Sequence, residues 1–490
     1  MGRADGTRAA SRGGPGAAGL ERRAWISEVA VACGDEMTPA LPKREHPSAL
    51  RVERSQNQMA SVALAIALAT TGVLPVFLTG ALAVQLEADL HVGTTAIGGA
   101  VATFFAASAL SSVRAGKLAE RAGPFKVMVI AVGLAVVALL GSGLLVTSLP
   151  GLLGFLVAGG LSNGAMQPAV NLLLARAVDD HRQGLAFGVK QAAIPTSTLL
   201  AGLAVPTLAL TAGWHFAYLA AAGLALVVGA VLVSGGRRLM PMPAGAAGAT
   251  PGAEDGGEKG VRAPGRPGGG RGESFDPRPL VLVAAAMACA VAASNALGSF
   301  VVPGAVHEGV APGLAGLLSA AGSIVGLSVR VGSGWHADRK GLRGRLAADA
   351  HLHTVGTLIA VGALGYGALA VGTLGLLVPA VLVAYGGGWG YNALFNLAVV
   401  RAYPGAPARA TGLTQVGTYV GGMVGPLGFG VIVDRLGFEV GWALCAALAV
   451  LAVAAFSLGR RRLGAAPAPA VEAGGAPEVG ECAPGVRLVR

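Results

Sequence analysis

Lys190 is the residue whose type and place could do the most chemistry. It lies inside an apolar stretch at about 183–210, followed by Gln191 and then by Pro195. An ammonium there can attract an anionic solute and deter cations. It can also snorkel, its stem lying among apolar groups while the amine reaches the surface. Uncharged hydrogen-bonding residues recur at helical spacing in other apolar stretches. Asn163, Gln167 and Asn171 fall at i, i+4 and i+8, one stripe of a helix. Tyr385, Trp389, Asn392 and Asn396 fall at i, i+4, i+7 and i+11, again one face. Gln191 and Thr198, Gln415 and Tyr419, and Asn295 with Thr70 and Thr71 extend the set. Their chemistry is non-covalent: they could hold a small solute, or bond helix to helix. The same stretches hold no nucleophile–base pair, phosphate loop or metal-ligand cluster, and Cys33, Cys289, Cys445 and Cys482 show no paired spacing. No enzyme activity, cofactor, metal site or disulfide framework is therefore expected.

Hydropathy identifies the elements that must position these residues. Of 490 residues, 53% are hydrophobic and 12% charged, the latter about half the usual share. Twelve long apolar windows run at about 59–84, 94–113, 126–149, 150–175, 183–210, 213–234, 279–302, 311–329, 349–372, 374–400, 410–432 and 440–459. About 20 such residues cross a hydrocarbon layer about 30 Å thick. Buried helices of a soluble protein would need amphipathic helices to cover them, and none is visible. The expectation is an all-α integral membrane protein with twelve transmembrane helices and the lipid bilayer as a partner. Apart from Asp349 at the very edge of the ninth window, no core contains Asp or Glu, and Lys190 is the only Lys or Arg well inside one. Arg330 falls just past the eighth window and counts with the loops.

Positive residues gather in alternate loops: Arg114, Lys117, Arg121 and Lys126; Arg176 and Arg182; the central linker; Arg330, Arg339, Lys340, Arg343 and Arg345; Arg401 and Arg409; and Arg460 to Arg462. The opposite side carries Arg435. The positive-inside rule then places both termini in the cytoplasm of a cell-membrane protein. The formal charge of +11 is a topology signal. No aromatic-interleaved basic patch accompanies it, so nucleic acid is not an expected partner. Residues 1–58 read as a disordered cytoplasmic extension, with Met37 and Met59 as alternative starts, 59–234 as one six-helix bundle, 235–278 as a Gly/Pro-rich cytoplasmic linker, 279–459 as a second bundle and 460–490 as a disordered tail.

The two bundles repeat each other. Asn171, Arg176, Gly188-Val189-Lys190-Gln191 and Gly213-Trp214 recur as Asn396, Arg401, Gly412-Leu413-Thr414-Gln415 and Gly437-Phe438, at offsets of 224 or 225 residues. Upstream, Gly116, Glu120, Arg121 and Gly123 recur as Gly334, Asp338, Arg339 and Gly341, offset by 218. Six spans per copy is an even number, so both copies take the same orientation as parallel repeats. A carboxylate at a helix end can accept hydrogen bonds from a neighbouring helix N-terminus or pair with an Arg. Such a contact can close in one conformation and break in another, which makes these eight residues a candidate gate.

In these features the chain resembles the major facilitator superfamily over about residues 59–459, with the linker between spans six and seven. Members carry the loop after span two as Gly-x-Leu-Ala-Asp-Arg-x-Gly-Arg-[Arg/Lys]. Here it reads Gly116-Lys117-Leu118-Ala119-Glu120-Arg121-Ala122-Gly123-Pro124-Phe125, with Lys126 one place late. The copy from Gly334 to Arg343 matches more closely. Gly188-Val189-Lys190-Gln191 with Pro195 is similar to a segment of anion and cyanate-permease-like members. The resemblance implies a monomeric secondary transporter working by rocker-switch alternating access on a small-molecule substrate held between the halves. Lys190 makes an anionic solute the expectation. Many proton-coupled members use an Asp or Glu in span one, four or seven, and none stands here. Lys190, His215, His307, His351 and His353 remain as groups for a coupling proton. The alternative is a drug or metabolite efflux antiporter. The family's antiporter signature, Gly-Pro followed by paired glycines, is absent from span five, whereas Gly421-Gly422-Met423-Val424-Gly425-Pro426-Leu427-Gly428 stands in span eleven.

Overall fold

Where water is absent, a long apolar segment can satisfy its amides and carbonyls within itself only as a helix. Among the described residues twelve such helices are present: Gln58–Ala81, Thr94–Ala122, Pro124–Leu144, Leu149–Ala177, Gly188–Ala209, Trp214–Gly235, Arg278–His307, Pro312–His336, Asp349–Ala370, Leu374–Ala402, Ala410–Leu436 and Phe438–Arg462, referred to below as spans one to twelve. The computed structural model describes residues 47–178, 186, 188–236, 278–339, 344–403 and 407–465, with side chains described for all but 47–55, 57, 337–339, 344–348, 407–409 and 463–465. The spans belong to one compact unit beginning at Gln56, and no strand occurs among the described residues. Odd-numbered spans run away from the face where span six ends and span seven begins, here the linker face. Even-numbered spans return from the opposite, far face.

The packing repeats as the sequence does. In the first half, spans two and four, three and four, and three and six lie against each other. Their counterparts, eight and ten, nine and ten, and nine and twelve, do the same in the second half. Between halves, span two packs on span eleven and span five on span eight, which a two-fold exchanging the halves interconverts. Both contacts need glycine. A methyl on Gly98 would overlap the Pro426 carbonyl oxygen; one on Gly202 would lie 2.7 Å from the Gly316 oxygen, and one on Gly316 2.6 Å from that of Gly202. Gly98 and Gly316 are 218 residues apart, and Gly202 and Pro426 224 apart, matching the repeat offsets. The duplication has copied one helix contact to both sides of the bundle. Spans one and seven meet similarly, where a methyl on Gly80 would fall 2.5 Å from the Ser299 Cα.

Three sequence expectations need correction. Span eight continues to His336, so Arg330 lies inside a span, 2% exposed. Span eleven extends to Leu436 and so includes Asp434. Span ten is not one regular helix: helices Leu374–Gly390 and Asn392–Ala402 meet at Tyr391. Tyr385 and Trp389 therefore sit on a different segment from Asn392 and Asn396. Span five is also broken: Gln191 and Ala192 form a turn before the helix Ala193–Ala204, which widens into a π-helical turn, Val205–Ala209.

A cation in each half of the candidate site

The stripe on span four and the lysine on span five form one network. Lys190 is buried, and its Nζ donates to Gln167 Oε1 and, at 3.0 Å, to Asn171 Oδ1. Gln167 Nε2 donates to Asn163 Oδ1 at 3.1 Å, and Asn163 Nδ2 donates to Ser108 Oγ at 3.1 Å. Ser108 is anchored on the Gly160 carbonyl across to span four. The ammonium thus turns inward onto two amide oxygens, and it meets no carboxylate among the described residues. Gln167 and Asn171 lie ten and six residues before the end of the helix Leu149–Ala177. At about 1.5 Å per residue the site is about 9–15 Å from the linker end of span four.

Arg330 is the residue that sequence reasoning missed. Its Nε donates to the Trp389 carbonyl at 2.8 Å and its Nη1 to the Gln191 carbonyl at 2.5 Å. Both acceptors belong to interrupted helices. Pro195 has no N–H to reach back four residues to Gln191, and Trp389 immediately precedes the break in span ten. Arg330 bonds the first half to the second through these carbonyls. Its guanidinium also lies 5.8 Å from the centroid of the Trp389 ring, within cation–π range.

The remaining candidates divide by location. Trp389 is buried, edge-on to both Phe77 of span one and Tyr385. The Tyr385 hydroxyl pairs with Ser319 Oγ at 3.1 Å, so Tyr385 bonds to span eight. Asn295 is buried in span seven. Asn392, Asn396, Gln191 and Tyr419 are half-buried, and Gln415 is exposed. Asn396 bonds only weakly to the Asn392 carbonyl, at 3.5 Å. Thr198, on span five, accepts from Ser323 of span eight at 2.8 Å, and Thr71 bonds its own helix at Leu68. His351 Nε2 is 2.7 Å from Arg401 Nη1; since a guanidinium only donates, this nitrogen accepts and carries no proton. Gly417, Gly421 and Gly425 press on the span-seven backbone at Ala284, Ala288 and Ala292, so the span-eleven glycine run packs helices of one half.

Of the candidate gate, Glu120 and Arg121 are exposed at the linker face and make no ion pair among the described residues. Gly123 ends span two with φ of 88°, a value glycine tolerates. Gly116 and Gly334 have room for a methyl group. The side chains of Asp338 and Arg339, and all of Gly341, lie outside the described residues. A carboxylate–amide contact of the kind expected of a gate is present at the far face. Asp434 of span eleven accepts from the backbone N–H of Thr95 at 2.8 Å and of Thr94 at 3.1 Å, capping span two across the halves. Glu87 lies nearby. Burial pushes its carboxyl up, the Thr94 hydroxyl offsets part of this, and the Asp434 charge raises it further; Glu87 therefore holds a proton more readily than its neighbour. Helix caps of this kind contribute about 1–2 kcal/mol. Asp434→Ala, which removes both acceptors, should therefore shift the halves towards an open far face by about tenfold. Faster maleimide labelling of a cysteine replacing Ser299 would report that shift, and unchanged labelling would count against it.

Residues 59–426 match the family profile described as Major Facilitator Superfamily. No curated protein sequence matches significantly. Among solved structures, a bacterial homolog of the human lysosomal transporter Spinster superposes in its inward-facing, unoccupied conformation with a TM-score of 0.61 and 13% identity, covering 83% of this chain and 98% of that one. The same homolog in its inward-facing, occupied conformation gives 0.58 and 14%, covering 85% and 98%. At such identities the likeness speaks for the fold. With three-quarters of the sequence within one family profile and twelve helices in two packed repeats, this chain belongs to the Major Facilitator Superfamily.

Proposed function

We propose that this secondary transporter carries a small anionic solute across the cell membrane, as a monomer, with its linker face and both termini in the cytoplasm. The observation that carries the anion is Lys190, a buried ammonium bonded to two amide oxygens with no carboxylate partner. Stripping water from a cation costs several kcal/mol, and neutral dipoles return only part of that. An anion beside Lys190 completes the compensation. Gln167 and Asn171 orient the ammonium, with Asn163 behind them. Gln191, Asn295, Asn392, Asn396, Gln415 and Tyr419 offer polar lining, and Tyr385 and Trp389 an aromatic wall. The inter-half contacts at Gly80, Gly98 and Asp434 close the far face. The loops bearing Glu120 and Arg121, and Asp338 and Arg339, would latch the linker face in the opposite state.

Efflux of drugs or metabolites is the second reading, carried by the glycine run of span eleven, although those glycines serve packing here. Uptake and efflux of small carboxylates and of lipophilic cations, in cells with and without the gene, separate the two. Carboxylate movement is expected; gene-dependent extrusion of lipophilic cations alone would overturn the anion. Topology has its own test. His307 is exposed at the far end of span seven, so His307→Cys should react with an impermeant maleimide in intact cells. Reaction only after permeabilisation would reverse the orientation.

A further inference from the structure

We infer that the solute is a small dianion, one of its anionic groups held by Lys190 in the first half and the other by Arg330 in the second. This deepens the anion reading above and rests on it. Each half contributes one buried cation, 6% and 2% exposed respectively. Each is bonded to two neutral oxygens: side-chain amides for Lys190, and backbone carbonyls freed by helix breaks for Arg330. Neither meets a carboxylate among the described residues, so the site retains two positive charges. A monoanion would neutralise one of them and leave the other desolvated and uncompensated, whereas a dianion neutralises both.

Arg330 also has capacity left to bind. A guanidinium carries five N–H donors. Nε and Nη1 each make one bond to a carbonyl, and Nη2 has no protein partner among the described residues. The Tyr391 hydroxyl is fully buried beside Ser294 and Asn392, makes no well-formed hydrogen bond to either, and lies within electrostatic reach of that guanidinium. A planar anionic group such as a carboxylate can take both donors.

The two cations are also close enough to share one solute. Nη1 touches the carbonyl of Gln191, the residue next to Lys190. Covalent geometry through that carbonyl limits the Nζ-to-Nη1 distance to about 15 Å. A dicarboxylate of about four carbons, each carboxylate about 3 Å from its cation, fits within that span.

The test uses purified full-length protein, with malonate, succinate, glutarate and glycerol phosphate as dianion probes and pyruvate and lactate as monoanions. Binding is read as thermal stabilisation of the protein and transport as uptake into proteoliposomes. At least one dianion should bind at least tenfold more tightly than either monoanion, and whether it is a dicarboxylate or the phosphate ester identifies the anionic group. Arg330→Gln should lower dianion affinity at least tenfold and monoanion affinity less than threefold. Arg330→Lys, which keeps the charge, should hold the preference. Tyr391→Phe should weaken the dianion severalfold without changing the stability of the free protein. Equal affinity for monoanions and dianions in the wild type overturns the inference even if Arg330→Gln fails to fold. So does an Arg330→Gln protein that loses both classes equally, since that marks a mere brace between broken helices. Monoanion transport that depends on Lys190 alone would sink the dianion and leave the anion reading standing. Transport of only cationic or neutral solutes would sink both.

Discussion

Gly98→Leu is expected to stop the transport cycle. The Gly98 Cα lies against the Pro426 carbonyl, and a backbone oxygen cannot move aside as a flexible side chain can. Overpacking such a contact costs about 3 kcal/mol, and more where backbone must shift. About 3 kcal/mol against the closed far face depletes that state by more than about 100-fold, and turnover should fall with it. In a background lacking Cys33, Cys289, Cys445 and Cys482, a cysteine replacing Ser299 reports the change. Ser299 is 2% exposed in the closed arrangement, so labelling should be slow in the parent and fast in Gly98→Leu. Gly316→Leu, at the repeat-equivalent contact with Gly202, should do the same. Normal turnover in Gly98→Leu would mean that this helix contact never tightens during the cycle.

Lys190→Gln should lower transport of an anionic solute by more than tenfold. The substitution keeps hydrogen bonding to Gln167 and Asn171 and removes the charge, and tenfold corresponds to about 1.4 kcal/mol. Much of the loss should appear as a raised KM, because the charge acts on the bound solute. Lys190→Arg should keep part of the activity, since it retains charge while changing donor geometry. Wild-type rates for Lys190→Gln, measured as initial uptake into proteoliposomes, would remove the ammonium from the binding site. Its bonds to Gln167 and Asn171 would then be helix-to-helix links alone.

The architecture was legible because its cause is local. A run of about 20 apolar residues has only one way to cross a membrane, so the twelve spans and their pairing into repeats could be read from residues alone, whereas Lys190 read equally as turned inward or as snorkelling. The stripe of Asn163, Gln167 and Asn171 was legible for the same reason, since helical period alone aligns it. Arg330 and Asp434 were not, because a charge reads as the end of an apolar run. A charge can stay inside a span when other helices satisfy it, and those partners are distant in sequence: Gln191 and Trp389 for Arg330, Thr94 and Thr95 for Asp434. One sign was available. Pro195 leaves the Gln191 carbonyl without its usual donor, and an orphaned carbonyl in an apolar setting calls for a donor from elsewhere. The break at Tyr391 had no comparable sign, since helical period reads straight through it from Trp389 to Asn392.

The copied contact at Gly98–Pro426 and Gly316–Gly202 has the form of a homodimer interface, in which surface i meets surface j and j meets i. A six-span chain pairing with a second copy of itself would bury this contact twice, with no linker needed. Such a dimer, however, must present every side chain in duplicate about its axis. Lys190 would face another lysine, and each Arg330 another arginine, giving four like charges around one small space. In this chain the position equivalent to Lys190 is Thr414, and the one equivalent to Arg330 is Ser112. In one polypeptide each copy can carry a different cation. The interface kept its inherited symmetry, while the cavity became free to fit a molecule whose two ends differ.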